Sequence, residues 1–222
     1  MLAKQQAASK AAGYIKDEMI IGLGTGSTAY WAIQIIGERV KEGLKVKAVA
    51  TSQQTETLAR EAGIPIVDFD TIDHIDITID GADEVDEQLN LIKGGGGALL
   101  REKIIAAASD RFIVIVDESK LVGRLGKFPL PVEVTFFGWQ VTIKHLKALG
   151  CQPALRQQEN KIFITDNGNY IIDCSFHIIL QPAALEKEIN LVPGVVENGL
   201  FVNRAERVIA GYQDGHVEEL VK

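Results

Sequence analysis

The stretch Met19-Ile20-Ile21-Gly22-Leu23-Gly24-Thr25-Gly26-Ser27-Thr28 decides how this chain folds. Met19–Leu23 is a short apolar run that ends in glycines, the mark of a buried strand. Ser27–Val40 carries Tyr30, Trp31, Ile33, Ile35 and Ile36, then charged residues and Gly43, which predicts a helix with a glycine stop. Upstream, residues 4–17 place Ala7, Ala8, Ala11, Ala12 and Ile15 on one helical face. Downstream come a strand at Val46–Ala50 and a helix capped by Ser52 that runs to about Ala62. Ile75, Ile77 and Ile79 alternate with polar residues, which predicts a strand with one solvated face. A helix over Ala98–Ala108 and an apolar strand over Phe112–Val116 follow. Strand and helix alternate to about residue 120, so the fold class is α/β, a parallel sheet with helices on both faces.

The texture changes at Phe128-Pro129-Leu130-Pro131. Beyond it lie a strand (Val132–Val134), a helix (Trp139–Leu149), short strands near 153–157, 161–165 and 170–175, and a helix near 183–190. The Asp166-Asn167-Gly168-Asn169 turn predicts a hairpin between two of these strands. This half reads as a small α+β module. The run Val208–Ala210 returns to the first domain. The expected domains are therefore 1–127 plus 204–222, and 128–203.

With 222 residues, the chain should bury roughly 70% of its unfolded surface without a disulfide or metal staple. Hydrophobic residues at 46% and charged residues at 24% exclude disorder. The net charge of −7 and the lack of a basic run argue against nucleic acid. No stretch approaches the ~18 apolar residues of a membrane span, and the N-terminus lacks a secretory apolar core. Cys151 and Cys174 fit no zinc spacing and read as reduced thiols. The cytoplasm is the expected compartment.

Four motifs carry chemistry. The Gly24–Thr28 turn combines glycines, hydroxyls and a helix N-terminus, which together favour an anion. It is neither a P-loop nor the dinucleotide fingerprint, because its register is G-x-G-x-G. A tight turn capped by Ser27 or Thr28 is the plainer account. Asp80-Gly81-Ala82-Asp83-Glu84-Val85-Asp86 follows a strand, at the sheet edge where such folds bind ligands. Its spacing fails as a calcium loop. A solvated acidic loop, or magnesium held by two aspartates, stays open. Lys93-Gly94-Gly95-Gly96-Gly97 ends an acidic stretch and opens the helix that carries Glu102. Such a glycine run can aim N–H groups at an oxygen that develops charge. On its own, Glu102 reads as an ordinary helix residue. Lys120, in Asp117-Glu118-Ser119-Lys120, stands within reach of the same strand ends, or in a solvated turn. Lys4 reads as a solvated helix residue, with reach to a phosphate as the alternative.

In order and spacing, GLGTGSTA at 22–29, TSQQT at 51–55, DGADEVD at 80–86, KGGGGALLREK at 93–103 and DESK at 117–120 resemble the type A ribose-5-phosphate isomerases. The resemblance covers essentially the whole chain. It implies a Rossmann-like domain with a smaller α+β domain, a homodimer or larger oligomer, and no cofactor or metal. It implies that Thr25, Gly26, Ser27 and Thr28 bind the substrate, as do Asp80, Gly81, Ala82, Asp83, Lys93, Gly94, Gly95, Gly96 and Lys120. It makes Glu102 the proton acceptor.

Aldose–ketose isomerisation through an enediolate needs one base that takes and returns a carbon-bound proton, and a carboxylate such as Glu102 suits this. Lys93 and the glycine N–H groups supply donors for the enediolate oxygens. Asp80 is expected to help open the sugar ring, and Asp83 to orient hydroxyls. Two rivals are a noncatalytic sugar-phosphate sensor and a deaminase or CoA transferase on a related fold. The sensor lacks a partner module here. The deaminase lacks a histidine at the strand ends.

Overall fold

The computed structural model describes all 222 residues. In chain order its elements are α1 (Leu2–Ala12), β1 (Ile20–Leu23), α2 (Ser27–Lys41), β2 (Lys47–Ala50), α3 (Gln53–Glu61), β3 (Ile77–Asp80), β4 (Glu84–Val85), β5 (Leu91–Ile92) and α4 (Leu99–Ala107). They continue with β6 (Phe112–Asp117), β7 (Leu130–Val134), α5 (Trp139–Ala148), β8 (Gln152–Leu155), β9 (Gln157–Gln158), β10 (Lys161–Ile162) and β11 (Tyr170–Ser175). The last are α6 (Pro182–Asn190), β12 (Val195–Asn198), β13 (Leu200–Phe201), β14 (Arg207–Gly211) and β15 (Val217–Val221). The chain forms two compact units, residues 1–82 with 101–121 and 204–222, and residues 83–100 with 122–203.

The first unit is a six-stranded sheet in the order β15-β14-β6-β3-β1-β2, parallel except for the edge strand β15. Alternate strand residues face opposite layers. Ile21, Leu23, Ile77, Ile79, Ile113 and Ile115 pack with the alanine face of α1 and with Ala32, Ile33 and Ile36 of α2. On the other face Val49 and Ile75 pack with Ile105 of α4. Both faces are covered, so β3 is buried along its whole length and its expected solvated face is absent. Of the two polar residues of the alternation, Asp76 lies just before the strand and is half-buried, while Thr78 has no exposure and lies 2.7 Å from the Ser109 hydroxyl. A hydrogen bond inside the core replaces water there.

Alanines let α1 approach the sheet closely. A Cβ on Gly211 of β14 would lie 2.7 Å from the Ala3 carbonyl carbon, so no larger residue fits that position. Tyr14, just past α1, donates to Glu219 of β15 at 2.7 Å, and Lys10 pairs with the same carboxylate at 3.0 Å. Arg207 of β14 is bonded to both Tyr14 and Glu219.

Hydrogen bonds from Tyr14 and Lys10, with Arg207 beside them, hold the Glu219 carboxyl down from 4.5 to about 2. A carboxyl depressed by folding adds stability that is complete above its unfolded value and is lost as pH falls through its folded value. Stability is therefore expected to fall as pH drops from 4.5 toward about 2, and Glu219→Gln should flatten that fall. Denaturant melts across this range test the point. Parallel losses in wild type and variant would assign the effect elsewhere.

The second unit is built on an antiparallel sheet in the order β12-β7-β11-β8, with a three-stranded sheet β13-β5-β4 and the β9–β10 ladder. Leu130, Val132, Val134, Ile172, Leu146 of α5 and Ile189 of α6 form its core. Segment 83–100 was expected in the first domain and groups with the second. Leu91 and Ile92 pair with Phe201 and Leu200, and Val122 N–H donates to the Val85 carbonyl at 2.9 Å. Glu84 ties the segment further by accepting from the Gly126 and Phe128 N–H groups at 2.7 and 2.6 Å. The expected boundary at 127/128 lies instead at Leu121/Val122, and Leu130-Pro131 belongs to β7.

The expected hairpin also differs. The turn exists, with Gly168 at φ +79° and its N–H on Thr165 O at 2.9 Å. Its flanks, however, do not pair as one ladder. β10 pairs back to β9, and β11 pairs with β7 and β8. The Thr165, Asn167 and Asn169 side chains converge on the buried Glu133 carboxylate and hold the turn there.

Candidate active site

In the first unit, the C-terminal ends of the parallel strands bring the sequence motifs together. Asp80 ends β3 with no exposure, and its Oδ1 accepts from the Thr25 N–H at 3.1 Å and the Gly81 N–H at 2.7 Å. That carboxylate sits where a Gly24 side chain would stand, since a Cβ there would lie 2.5 Å from Asp80 Cα. The glycine turn is thus folded around Asp80.

Thr25 is held from a second side. Its hydroxyl lies 2.7, 2.8 and 3.0 Å from the hydroxyls of Thr51, Ser52 and Thr55. Thr55 also donates to Gly24 O at 3.0 Å, and Ser52 caps α3 by accepting from the Thr55 N–H. Such a cap is worth about 1 kcal/mol. Ser52 is thus the expected cap, and together with Thr51 and Thr55 it also supports the glycine loop, a role the sequence reading did not give them. The signal was available, since TSQQT also follows a parallel strand.

The outer part of the loop remains accessible. Gly26, at φ +110°, and Ser27 are exposed at the N-terminus of α2, while Thr28 is buried. Lys4 of α1 places Nζ 2.9 Å from Ser27 Oγ, so it is a loop residue rather than a solvated one. Its ammonium also lies 3.8 Å from Asp117 at the end of β6. Burial alone would raise the Asp117 carboxyl. Hydrogen bonds from Ser119 and the Lys4 and Lys120 charges outweigh it and hold the group below its usual value. Lys120 is half-buried in the turn at Glu118–Lys120. One cation, Lys4, and a helix N-terminus therefore meet at Ser27, while Lys120 stands beside Asp117. A cavity of about 310 Å³ adjoins this loop, lined by Gly26, Ser27, Tyr30, Gln54 and Thr55 among others.

Glu102 lies in the first turn of α4 and is 4% exposed, so it is no ordinary surface residue. Ala82 and Gly81 are half-buried beyond Asp80.

In the second unit, the glycine run forms a tight turn. Gly97 N–H donates to Gly94 O at 2.9 Å, and Gly95 N–H donates to Asp83 Oδ2 at 2.7 Å. Of the N–H groups expected to face a ligand, these two are engaged within the protein. Side chains surround the run closely: a Cβ would lie 2.6 Å from Asp83 Oδ1 at Gly95, and 2.5 Å from the Phe163 ring at Gly97. Gly95 and Gly96 are exposed. Lys93 is 2% exposed, with its N–H on Gly199 O at 2.9 Å and its ammonium 5.5 Å from the Phe201 ring centre. Arg156 donates to the Gly94 and Gly95 carbonyls at 2.9 and 3.1 Å, a contact that no motif announced.

Not every acid of DGADEVD is available for chemistry. Glu84 staples Gly126 and Phe128, and Asp86 accepts from the Gln88 and Asn90 N–H groups at 3.0 and 2.8 Å. Asp80 and Asp83 remain as the acids beside the two glycine turns.

Buried ionisable groups are costly and concentrate where chemistry needs them. Glu102 and Lys93 are such groups, one in each unit, and they mark the chain as an acid–base enzyme. Comparison with known proteins agrees. Residues 47–215 match the family model for ribose 5-phosphate isomerase A (phosphoriboisomerase A). Ribose-5-phosphate isomerase A of Bacillus mycoides (strain KBAB4) is 54% identical over 213 residues, 96% of each chain. The structure of ribose 5-phosphate isomerase A from Methanocaldococcus jannaschii superposes with a TM-score of 0.94 at 46% identity, covering 99% of this chain and 98% of that one. A D-ribose-5-phosphate isomerase solved in complex with phospho-erythronic acid gives 0.95 at 47% identity, covering 99% and 97%. The chain belongs to the ribose 5-phosphate isomerase A family.

Proposed function

We propose that this protein interconverts D-ribose 5-phosphate and D-ribulose 5-phosphate through an enediolate. The observation that carries the reading is the burial of Lys93 and Glu102, at 2% and 4% exposure, within one short stretch of a chain of this family. In the proposed mechanism the phosphate sits at Gly26, Ser27 and Thr28, opposite Lys4 and Lys120. Thr25 contributes by holding the loop. Asp80, with Gly81 and Ala82, lines the sugar and assists ring opening, and Asp83 orients its hydroxyls. Glu102 takes the proton from C2 and returns it to C1. Lys93 and the Gly94–Gly96 turn stabilise the negative charge that develops on the enediolate oxygens. The phospho-erythronic acid bound by the related isomerase is an acyclic phosphorylated acid, and it supports an anion loop beside an acid–base centre.

The direct test mixes purified protein with ribose 5-phosphate and excess chelator and follows ketose formation. Conversion is expected to persist, because Lys93 supplies the charge a divalent ion would otherwise provide. A strict divalent requirement would make Asp80 and Asp83 ligands instead. Absence of conversion under any condition would remove the reading, and release of ammonia from an amino-sugar phosphate would favour the deaminase.

Lys120→Ala is expected to raise KM more than it lowers kcat, as befits a contact equally strong in ground and transition states. The reverse pattern in steady-state kinetics would place Lys120 at the reacting carbons.

No helix is long and apolar enough to cross a membrane. A cytoplasmic homodimer belongs to the same proposal. Support comes from the two free, buried cysteines and from Phe136, Phe137, Leu180 and Leu191, which expose at least 67% of their surface on the second unit.

A further inference from the structure

Arg156 is anchored before it reaches the glycine turn. Its N–H donates to Ile171 O at 2.8 Å, and its carbonyl accepts from Phe163 N–H at 3.0 Å. Its Nε and Nη2 fork onto Asp173 Oδ2 and Oδ1 at 2.9 and 2.5 Å, from the strand β11 where Asp173 pairs with Ala154. The guanidinium lies 5.8 Å from the Phe163 ring centre. Both charged side chains are largely covered, at 13% and 25% exposure. The remaining nitrogen, Nη1, donates to two successive carbonyls, Gly94 O and Gly95 O.

A trans peptide unit points its carbonyl and the next N–H in opposite directions, and the chain contains no cis bond. With the Gly94 and Gly95 carbonyls turned toward Arg156, the Gly95 and Gly96 N–H groups face the other way. Gly95 N–H meets Asp83 there at 2.7 Å. Glycine peptide planes rotate at little steric cost, so a run of four has no orientation of its own. The cation on the carbonyl side supplies one, and it also polarises both peptides and strengthens their N–H donors.

We propose that Arg156 is a positioning residue for the isomerisation, fixing the Gly94–Gly96 peptide planes so that Gly95 N–H orients Asp83 and Gly96 N–H faces the reacting sugar oxygens. The role rests on the isomerase reading above. It gives the antiparallel sheet of the second unit a part in the chemistry through Arg156 and Asp173, neither of which touches substrate.

The test is Arg156→Lys, which keeps the charge but cannot both fork onto Asp173 and reach two carbonyls. The variant should fold, with kcat about tenfold to a hundredfold lower and KM within about threefold, since the phosphate contacts lie elsewhere. Arg111→Lys is the control. Arg111 forks onto Glu206 in the same manner, at 2.9 and 3.0 Å, without touching a glycine turn. Its kcat should stay within about twofold, because this half-buried pair touches neither a glycine turn nor a candidate site residue. Asp173→Asn, which keeps Arg156 and weakens its anchor, should lose kcat in the same direction by a smaller factor. It serves as the second variant if Arg156→Lys does not fold. A kcat within twofold of wild type in the folded variant, or a loss confined to KM, overturns the proposal. Failure of both variants to fold assigns the pair to stability alone and overturns it equally. Turnover by wild type and its loss in Glu102→Gln test the isomerase reading separately, so a normal Arg156→Lys in an active enzyme removes only the positioning role.

Discussion

Glu102→Gln is expected to lower kcat by about 10² to 10⁴, the range that general-base catalysis commonly contributes. The substitution keeps the shape of the side chain and a carbonyl oxygen, and removes the oxygen that can accept a proton from carbon. Glu102 is buried in the first turn of α4. A residue of equal size therefore leaves no cavity, and the fold should survive. Phosphate binding should change little, because the loop at Gly24–Thr28 is untouched. Three measurements define the outcome: kcat, affinity for a nonreacting phosphorylated acid, and deuterium uptake at the reacting carbon in deuterated water. Turnover within about tenfold of wild type would sink the assignment, since a lost base costs more. Asp80 or Asp83 would then be the leading candidate. Asp80 already accepts two backbone N–H groups through Oδ1, so it would have to act from its other oxygen.

Gly24→Ala should be the most damaging single methyl group in the first unit's site. The new Cβ would stand 2.5 Å from Asp80 Cα, and it is backbone, not a flexible chain end, that must move. Overpacking of this kind costs about 1–3 kcal/mol. The displacement also breaks the Asp80 bridge to Thr25 and the hydroxyl cluster behind it, so activity should fall with stability. Thermal melts and steady-state kinetics read the two effects. An alanine variant with wild-type Tm and kcat would show that the Asp80–loop packing is dispensable.

Much of the first unit was legible because its signals are local. Glycines after a strand, Ser52 before a helix and apolar runs of four or five residues each have a near-neighbour cause. What was not legible depended on distant chain. The isoleucine alternation of β3 looks half-solvated in one dimension, and only the neighbours β1 and β6 and the cover from α4 make it buried. Segment 83–100 reads as a continuation of the first domain until β13, more than a hundred residues later in the chain, pairs with Leu91 and Ile92. Among the candidate site residues, Asp80 and Lys93 stood out as charges beside glycines, with Asp83 in the same motif, whereas Glu102 took its role from the family resemblance alone. Lys4 carried two readings and Arg156 had none, since each acts through a contact 23 or about 60 residues away, at Ser27 and at the Gly94 and Gly95 carbonyls. Glu84 and Asp86 serve folding through local and long-range N–H groups that composition cannot show.

The union of α1 with β14 and β15 has a consequence for synthesis on the ribosome. Tyr14 and Glu219, which share a hydrogen bond, are 205 residues apart. At roughly 5–20 residues per second, about 10–40 s separate the emergence of the two. Until β14 emerges the alanine face of α1 lacks the strand whose Gly211 it presses against, and the edge of β6, once made, lacks its neighbour. Completion of the parallel sheet thus waits for β14, and from the emergence of β6 until then the nascent chain carries an open sheet edge. Such an edge is a template for pairing with other chains, which makes the newborn protein, rather than the finished one, the form most exposed to aggregation.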